Sequence, residues 1–287
     1  MTMSPTLPAI SPLAPATNRM LHMPDFELGE RFTKEQLEYL DTYGFVRFKR
    51  FVSKEKVREL AEEVEQIDRR LVAEGRTHVN GVPIMFGARP DGTRFVQRMV
   101  FSSLFGERLH AFLDDPRFQE IIKKLAPDFR IGEDERDGLV VNRFRNEPGA
   151  KYKNLGWHTD SLRDLFYLEK PRRYLTVGFY LDDSPLTKGG VRVIPFSQDQ
   201  SIWSMLTRKA HFMEHQPDPA EYAIEAEAGD LTIHDGRIWH RVAEASVTGD
   251  ASQRRVMYIP HMEGPLKEKN EKSPTPLYFR FKRFAKF

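Results

Sequence analysis

The chain has 287 residues, 40% of them hydrophobic and 30% charged, a composition that supports a folded core and excludes disorder over most of its length. The 44 basic and 42 acidic residues leave a formal net charge of +2, which argues against binding of nucleic acid or membranes through bulk charge. The absence of cysteine excludes disulfides, zinc–thiolate sites and thiol nucleophiles.

The chain is predicted to begin with a disordered leader over residues 1–31. Residues 1–20 contain four prolines and lack the basic start of a secretory signal. No apolar stretch in the sequence is long enough to cross a bilayer. We therefore expect a soluble, cytoplasmic protein with a single folded domain over residues 32–287.

Helical patterns dominate the first half of the folded region, where apolar residues recur at helical spacing behind polar capping residues. The predicted elements are a helix that Thr33 caps and Gly44 ends, a strand over residues 45–48, a helix after Ser53 and a helix after Asp115.

Short β-branched and aromatic segments replace the helices after Gly138. Strands are predicted over residues 139–141, 175–181, 191–194, 231–233, 238–240 and 256–259. The dipeptide Asp235-Gly236 predicts a tight two-residue hairpin between two of them. Helices followed by short strands are typical of an α+β chain built on a β-sandwich or barrel, with the helices outside. The polar stretch 206–226 is either a lid or oligomer contact, or a plain surface insertion.

Metal-binding chemistry is indicated by the segment Trp157-His158-Thr159-Asp160. On a strand, His158 and Asp160 project to the same face, because side chains alternate with a period of two. His240 follows on a later predicted strand, which a barrel can bring to the same mouth. Two imidazoles and one carboxylate on one face of an octahedron leave positions open, as in non-haem Fe(II) oxygenases.

A cationic side chain lies just ahead of the last predicted strand, at Arg254 or Arg255. An arginine buried behind a metal can pair with a carboxylate through two parallel hydrogen bonds. His234 is an alternative ligand to His240, but it is interpreted as a packed residue at a strand end. His261 either lines the pocket or packs.

Together these motifs resemble the phytanoyl-CoA dioxygenase family of the Fe(II)- and 2-oxoglutarate-dependent oxygenases. The Trp-His-x-Asp motif of the family corresponds to residues 157–160, its turn and strand to residues 189–198, and its Gly-Asp, strand and His segment to residues 229–240. The sequence departs from the family where Phe196-Ser197-Gln198 replaces Gly-Ser-His. The resemblance implies a double-stranded β-helix, the jelly-roll barrel of cupin-like proteins, with helices packed outside.

The resemblance also implies cofactors and roles. It implies Fe(II) bound by His158, Asp160 and His240, and the cosubstrate 2-oxoglutarate bound by Arg254 (or Arg255), Asn142 and Thr176. The implied reaction consumes O2, decarboxylates 2-oxoglutarate to succinate and hydroxylates an unactivated C–H bond of a small metabolite. Alternatives are the same chemistry ending in desaturation, cyclisation or epimerisation, and a non-catalytic ligand-binding barrel.

Several polar and basic residues are candidates for binding the substrate. Candidate pocket residues, in segments that flank the mouth in such enzymes, are Gln97, Arg98, Phe101 and Arg163, together with Arg172 and Arg173. If the arginines face the site, they favour an anionic small molecule; otherwise they decorate a surface loop. We expect no nucleic-acid or membrane partner, and the sequence is compatible with an oligomer.

Overall fold

A computed structural model describes residues 23–123, 129–167, 174–259, 261–276 and 279. The helices are α1 (Lys34–Tyr43), α2 (Lys54–Ala73), α3 (Glu107–Phe112), α4 (Pro116–Lys123) and α5 (Ile202–Thr207). The strands are β1 (Phe45–Phe48), β2 (His78–Val79), β3 (Val82–Pro83), β4 (Met85–Ala88), β5 (Arg94–Met99), β6 (Arg130–Ile131), β7 (Val140–Phe144), β8 (Leu155–His158), β9 (Leu175–Tyr180), β10 (Gly190–Val193), β11 (Tyr222–Ala223), β12 (Leu231–Asp235), β13 (His240–Ala243), β14 (Arg254–Ile259) and β15 (His261–Met262).

Antiparallel sheets dominate this mixed α/β fold. A seven-stranded sheet has the order β1-β12-β9-β14-β7-β5-β4, and a four-stranded sheet has the order β11-β10-β13-β8. Two short ribbons, β15-β6 and β2-β3, complete the pairing in the described residues. No helix in these ranges combines the length and the apolar character that crossing a membrane would require.

The large sheet has one apolar face and one face that lines a cavity. On β9, Val177 and Phe179 lie in the main hydrophobic core together with the buried side of α2, whereas Thr176 lines the cavity. On β12, Ile233 lies in the same core and His234 faces the cavity. Because side chains alternate along a strand, neighbouring residues of β9 and β12 face the hydrophobic core and the cavity in turn.

The N-terminal helices begin and end where the sequence predicts. The side chain of Thr33 accepts a hydrogen bond from Gln36 N, and the side chain of Gln36 accepts one from Thr33 N. Gly44 ends α1 in the left-handed region at φ 80°. Ser53 caps α2 through the Lys56 amide. These contacts satisfy backbone groups that the first turn of a helix leaves unpaired.

The predicted Asp235-Gly236 hairpin is wrong. β12 pairs with β1 and β9 in the large sheet, whereas β13 pairs with β10 and β8 in the small one. The turn bonds other segments instead: Gly236 N donates to Tyr174 O, and Gly236 O accepts from Ser161 N. The chain therefore crosses between the two sheets at this point, and His240 follows Gly236 by four residues.

The predicted leader over residues 1–31 is too long. Met23, Phe26 and Leu28 are buried, and Phe26 forms an isolated bridge with Phe48 of β1. Apolar side chains at this spacing give the segment a packed face, which the proline-rich composition of residues 1–20 concealed. Residues 1–22 lie outside the described residues.

The stretch 206–226 runs beside β8. Phe212 N donates to Trp157 O, and Trp157 N donates to Glu214 O. The indole Nε1 of Trp157 donates to Gln216 O, and β11 then joins the edge of the small sheet beside β10. The close approach depends on Gly156, where an added Cβ would stand 2.5 Å from Phe212 O.

We expect Gly156→Ala to lower the free energy of unfolding by about 1–3 kcal/mol, because the methyl group would push the Phe212 backbone away from β8. Urea denaturation measures the change. Gly29→Ala is the matched control, since Gly29 has no atom within 4 Å of an added Cβ. A Gly156→Ala protein as stable as the control would contradict the contact.

Candidate metal centre

Three side chains converge where the small sheet faces the large one. β8 ends at His158, Asp160 follows two residues later, and β13 begins at His240, which pairs directly with His158 across the sheet. His158 Nε2 lies 3.7 Å from Asp160 Oδ1, and His240 Nε2 lies 3.6 Å from Asp160 Oδ2. One ligand atom from each residue lies within 4.8 Å of the other two, so the cluster can hold one metal ion.

Both imidazoles are buried and oriented for metal binding. His158 Nδ1–H donates to Gly156 O at 2.8 Å, and His240 Nδ1–H donates to Ile238 O at 3.1 Å. These bonds leave the Nε2 lone pairs directed at the cluster, an arrangement typical of metal-ligating histidines. Burial lowers the pKa of His240 to about 4 and also lowers the pKa of His158, so both rings are neutral near pH 7.

The carboxylate of Asp160 is held by the large sheet. Thr176, for which the resemblance implies a contact with the cosubstrate, donates from Oγ1 to Asp160 Oδ2 at 2.6 Å. A short bond to a carboxylate fixes its rotation, so Thr176 orients a ligand of the cluster.

His234 lies beside this cluster and is more than a packed strand end. Its Nε2 is 3.8 Å from Asp160 Oδ2, and its ring centre is 4.6 Å from that of His240. Neither ring nitrogen of His234 has a hydrogen-bond partner in the described residues. The alternation of side chains along β12 could have indicated that His234 faces the cavity. Ile233 points into the core, so its neighbours Thr232 and His234 point to the opposite face.

Arg254 is the cation for which the resemblance implies a contact with the cosubstrate. It is fully buried at the start of β14, its guanidinium lies 4.1 Å above the Phe144 ring, and Nε donates to Lys188 O. Nη1 and Nη2 have no hydrogen-bond partner among the described residues. Burial lowers the pKa of Arg254 to about 10, which leaves the group charged at neutral pH.

Arg255 points to the other side of the strand and is already paired. Its guanidinium binds Asp182 at 2.7 Å and Glu65 at 2.8 Å. Of the two arginines that the sequence left as alternatives, only Arg254 has donors to offer to an incoming carboxylate.

A cavity of about 240 Å³ extends from the cluster along the large sheet. Among the predicted residues, those in its wall are Arg98, Asn142, Thr176, His158, Asp160 and His240. The amide oxygen of Asn142 is buried without a hydrogen-bond partner in the described part of the chain. His261 also lines the cavity, which answers the alternative left open for it.

Gln97 and Phe101 do not reach this wall. Gln97 is fully buried, and its Oε1 accepts from the Lys151 and Tyr152 amides. Phe101 lies in the hydrophobic core. Because Arg98 faces the cavity, its strand neighbour Gln97 points the opposite way. The side chain of Arg163, and both Arg172 and Arg173, lie outside the described residues.

Two residues of the site surroundings carried no signal in the sequence. Phe212 stacks on the His158 ring, with ring centres 4.6 Å apart and planes 26° from parallel. Lys269 lines the cavity from a C-terminal loop. Both come from irregular segments, where side-chain direction does not follow from a periodic pattern.

Solved structures with this fold share it at low sequence identity. The chain is similar to SnoN, a non-heme α-ketoglutarate-dependent epimerase of nogalamycin biosynthesis, at 18% identity and a TM-score of 0.56, covering 86% of this chain and 87% of that one. It is similar to HygX from Streptomyces hygroscopicus, solved with nickel and 2-oxoglutarate, at 15% identity and a TM-score of 0.59, covering 83% and 89%. Among curated proteins, no sequence matches the chain.

The buried cluster of two neutral imidazoles and one carboxylate is the donor set of a non-haem iron dioxygenase. The family model described as phytanoyl-CoA dioxygenase (PhyH) matches residues 40–255, more than half of the sequence. The chain belongs to this family, as its motifs indicated.

We expect the metal-free protein to lose stability as the pH falls from about 7.5 to 5. An unfolded histidine titrates near pH 6.5, whereas burial lowers the folded pKa of both His240 and His261 to about 4. Between these values only the unfolded chain takes up protons, so stability is present above about pH 6.5 and is lost towards pH 4.

Urea unfolding in the presence of a chelator measures this slope. His261→Gln removes one of the titrating groups without touching the metal cluster, so the variant should show a shallower slope. An unfolding free energy that stays constant over this range would contradict neutral, buried rings.

Proposed function

We propose that the protein is an Fe(II)- and 2-oxoglutarate-dependent dioxygenase that hydroxylates an unactivated C–H bond of a small molecule. The observation that carries the proposal is the coexistence of the metal cluster with Arg254, a buried cation on the ring of Phe144 in the cavity wall, whose two terminal nitrogens lack hydrogen-bond partners among the described residues. A protein that only binds a metal has no use for an unpaired guanidinium in its interior, because burial of an unpaired charge is costly.

His158, Asp160 and His240 would hold Fe(II) in this proposal. The donor set fits, since two neutral Nε2 atoms and one carboxylate oxygen occupy one face and leave the remaining positions free. With 2-oxoglutarate and O2, the iron supplies oxidising power: 2-oxoglutarate is decarboxylated to succinate, and one oxygen atom is placed on the substrate carbon.

Arg254 would bind the far carboxylate of 2-oxoglutarate. Nη1 and Nη2 present parallel donors for bidentate pairing, and the Nε bond to Lys188 O fixes the plane of the guanidinium. Asn142 lies two strands from Thr176 in the sheet, and its amide faces the same cavity as a further hydrogen-bonding group for the cosubstrate. Thr176 holds Asp160 in the ligating orientation.

The outcome on the substrate carbon is proposed to be hydroxylation. A carboxylate at Asp160 occupies the position that a halide would need, which favours oxygen transfer. Desaturation, cyclisation and epimerisation start with the same hydrogen abstraction; similar folds are found in the epimerase SnoN and in SnoK, a carbocyclase of nogalamycin biosynthesis with 18% identity and a TM-score of 0.54. Mass analysis of the product separates hydroxylation from the other three outcomes, because hydroxylation alone adds an oxygen atom.

The same proposal includes the architecture implied by the resemblance. The large and small sheets would be the two halves of a double-stranded β-helix within one domain that includes residues 32–287. Support comes from the cavity, whose wall takes Thr176 and Tyr258 from the large sheet and His158 and Val242 from the small one.

The direct test is succinate release from 2-oxoglutarate by purified protein with Fe(II), ascorbate and O2. Slow turnover without a prime substrate is expected, and addition of a chelator should stop it. Protein that takes up Fe(II) yet forms no succinate across a broad metabolite panel would favour the non-catalytic ligand-binding barrel.

We expect His240→Gln to abolish tight Ni(II) uptake, whereas His234→Gln retains it. Only His240 belongs to the group whose ligand atoms all lie within 4.8 Å, although His234 sits nearby. Isothermal titration calorimetry with Ni(II) reads binding without relying on turnover. The reverse result would exchange the roles of the two histidines.

We expect Arg254→Met to raise the KM for 2-oxoglutarate by roughly 30-fold or more, because truncation of a buried, hydrogen-bonded charge pair costs about 2–5 kcal/mol. Arg255→Met should leave this KM unchanged and instead lower stability, since it removes the ion pairs with Asp182 and Glu65. Succinate formation against 2-oxoglutarate concentration measures both variants. If Arg255→Met raised the KM for 2-oxoglutarate and Arg254→Met did not, Arg255 would be the residue that binds the cosubstrate.

A further inference from the structure

Two cationic groups in the cavity wall are left without a full set of partners. The Nζ of Lys269 is buried and has no hydrogen-bond partner among the described residues, and the same holds for Nη1 of Arg98. Both side chains line the cavity. Burial also lowers the pKa of Lys269, a shift that Asp137 opposes and Arg136 adds to.

Asp137 is the carboxylate that binds Arg98: Arg98 Nη2 donates to it at 2.8 Å, which gives one carboxylate for the two cations of this pair. Two further carboxylates of the wall are held by other arginines, Glu135 by Arg130 at 2.7 Å and Asp164 by Arg136 at 2.6 Å, and Glu263 lines the wall as well. The corner formed by Arg98, Asp137 and Lys269 therefore carries a net charge of +1.

This corner is separate from the group that we propose for 2-oxoglutarate. β7 runs between β14 and β5, with Arg254 opposite Phe144 on one side and Arg98 opposite Asn142 on the other. The two arginines thus lie on opposite sides of one strand, and Phe144, on which Arg254 lies, and Arg98 both line the cavity. One 2-oxoglutarate anchored at Arg254 leaves the charge at Arg98 and Lys269 unmatched.

We propose that the prime substrate carries an anionic group, a carboxylate or a phosphate, which Lys269 and Arg98 bind at this corner; the assignment of this group to a substrate rests on the proposed function. Lys269 Nζ and Arg98 Nη1 are the donors, and Asp137 keeps Arg98 in place through Nη2. Charge-assisted hydrogen bonds to an anion satisfy both buried donors.

The same arrangement selects against neutral molecules. A neutral analogue that displaces water from this corner leaves a desolvated ammonium group without a counter-charge, which is unfavourable. Sites built around buried polar groups discriminate strongly against ligands that lack the matching group. The corner therefore determines specificity, while the metal cluster determines chemistry.

Anion binding can be measured before the substrate is known. The full chain is loaded with Ni(II) and 2-oxoglutarate, so that Arg254 is covered, and inorganic phosphate and acetate are titrated separately by calorimetry. We expect saturable binding of at least one, and the stronger of the two identifies the group as a phosphate or a carboxylate. No saturable binding of either anion to the wild-type protein overturns the proposal.

Substitutions test whether the anion binds at the corner formed by Arg98, Asp137 and Lys269. Lys269→Met should weaken binding by about tenfold or more, whereas Lys272→Met, the matched control at an exposed lysine three residues further on that does not line the cavity, should not. Asp137→Asn removes the competing carboxylate and should tighten binding, a gain that general damage to the fold would not produce. Equal affinities for wild-type protein and Lys269→Met overturn the proposal.

The two proposals fail in different ways. Protein that binds neither Ni(II) nor 2-oxoglutarate refutes the dioxygenase assignment. If anion binding still depended on Lys269 in that case, the anion site would stand, but its ligand would not be the substrate of a dioxygenase. Conversely, wild-type protein that releases succinate from 2-oxoglutarate yet shows no saturable binding of phosphate or acetate refutes the anion site and leaves the dioxygenase assignment standing.

Discussion

The pairing of β8 with β13 is the constraint on which the site depends, because it places His158 directly opposite His240. Each ring is then fixed by a bond from Nδ1 to a carbonyl two residues earlier, at Gly156 and Ile238. Burial keeps both rings neutral without requiring another ionised group. The third ligand is tied to the opposite sheet through Thr176, so the cluster also joins the two sheets.

The chemistry of the site could be read from the sequence because ligating residues are restricted by residue type and spacing. The Trp-His-x-Asp segment and the later His240 were identifiable as candidate ligands, and their ligand atoms lie close enough to hold one metal ion. The arginine before the last strand stays a prediction, for which Arg254 has unpartnered terminal nitrogens in the described residues whereas Arg255 is paired. The caps at Thr33 and Ser53 were equally predictable, since they depend on local hydrogen bonds.

Other features depend on contacts between distant segments and could not be predicted. Asp235-Gly236 has the composition of a hairpin turn, but bonds to Tyr174 and Ser161 send the chain to the other sheet. Gln97 and Arg98 are neighbours in one polar run, yet only the pairing register of β5 shows which of them reaches the cavity. Lys269 lies in an irregular loop, where no periodic pattern in the sequence predicts that its side chain faces the cavity.

The contact between Phe212 and the ring of His158 bears on how molecules reach the interior. Phe212 is held to β8 by its own amide, and two residues on, Glu214 accepts a second backbone bond. An opening on this flank would have to break both bonds and unstack the ring, which makes it a closed wall. The cavity is therefore closed on the side of His158 that Phe212 covers, so any exchange of molecules with the solvent has to occur elsewhere along its wall.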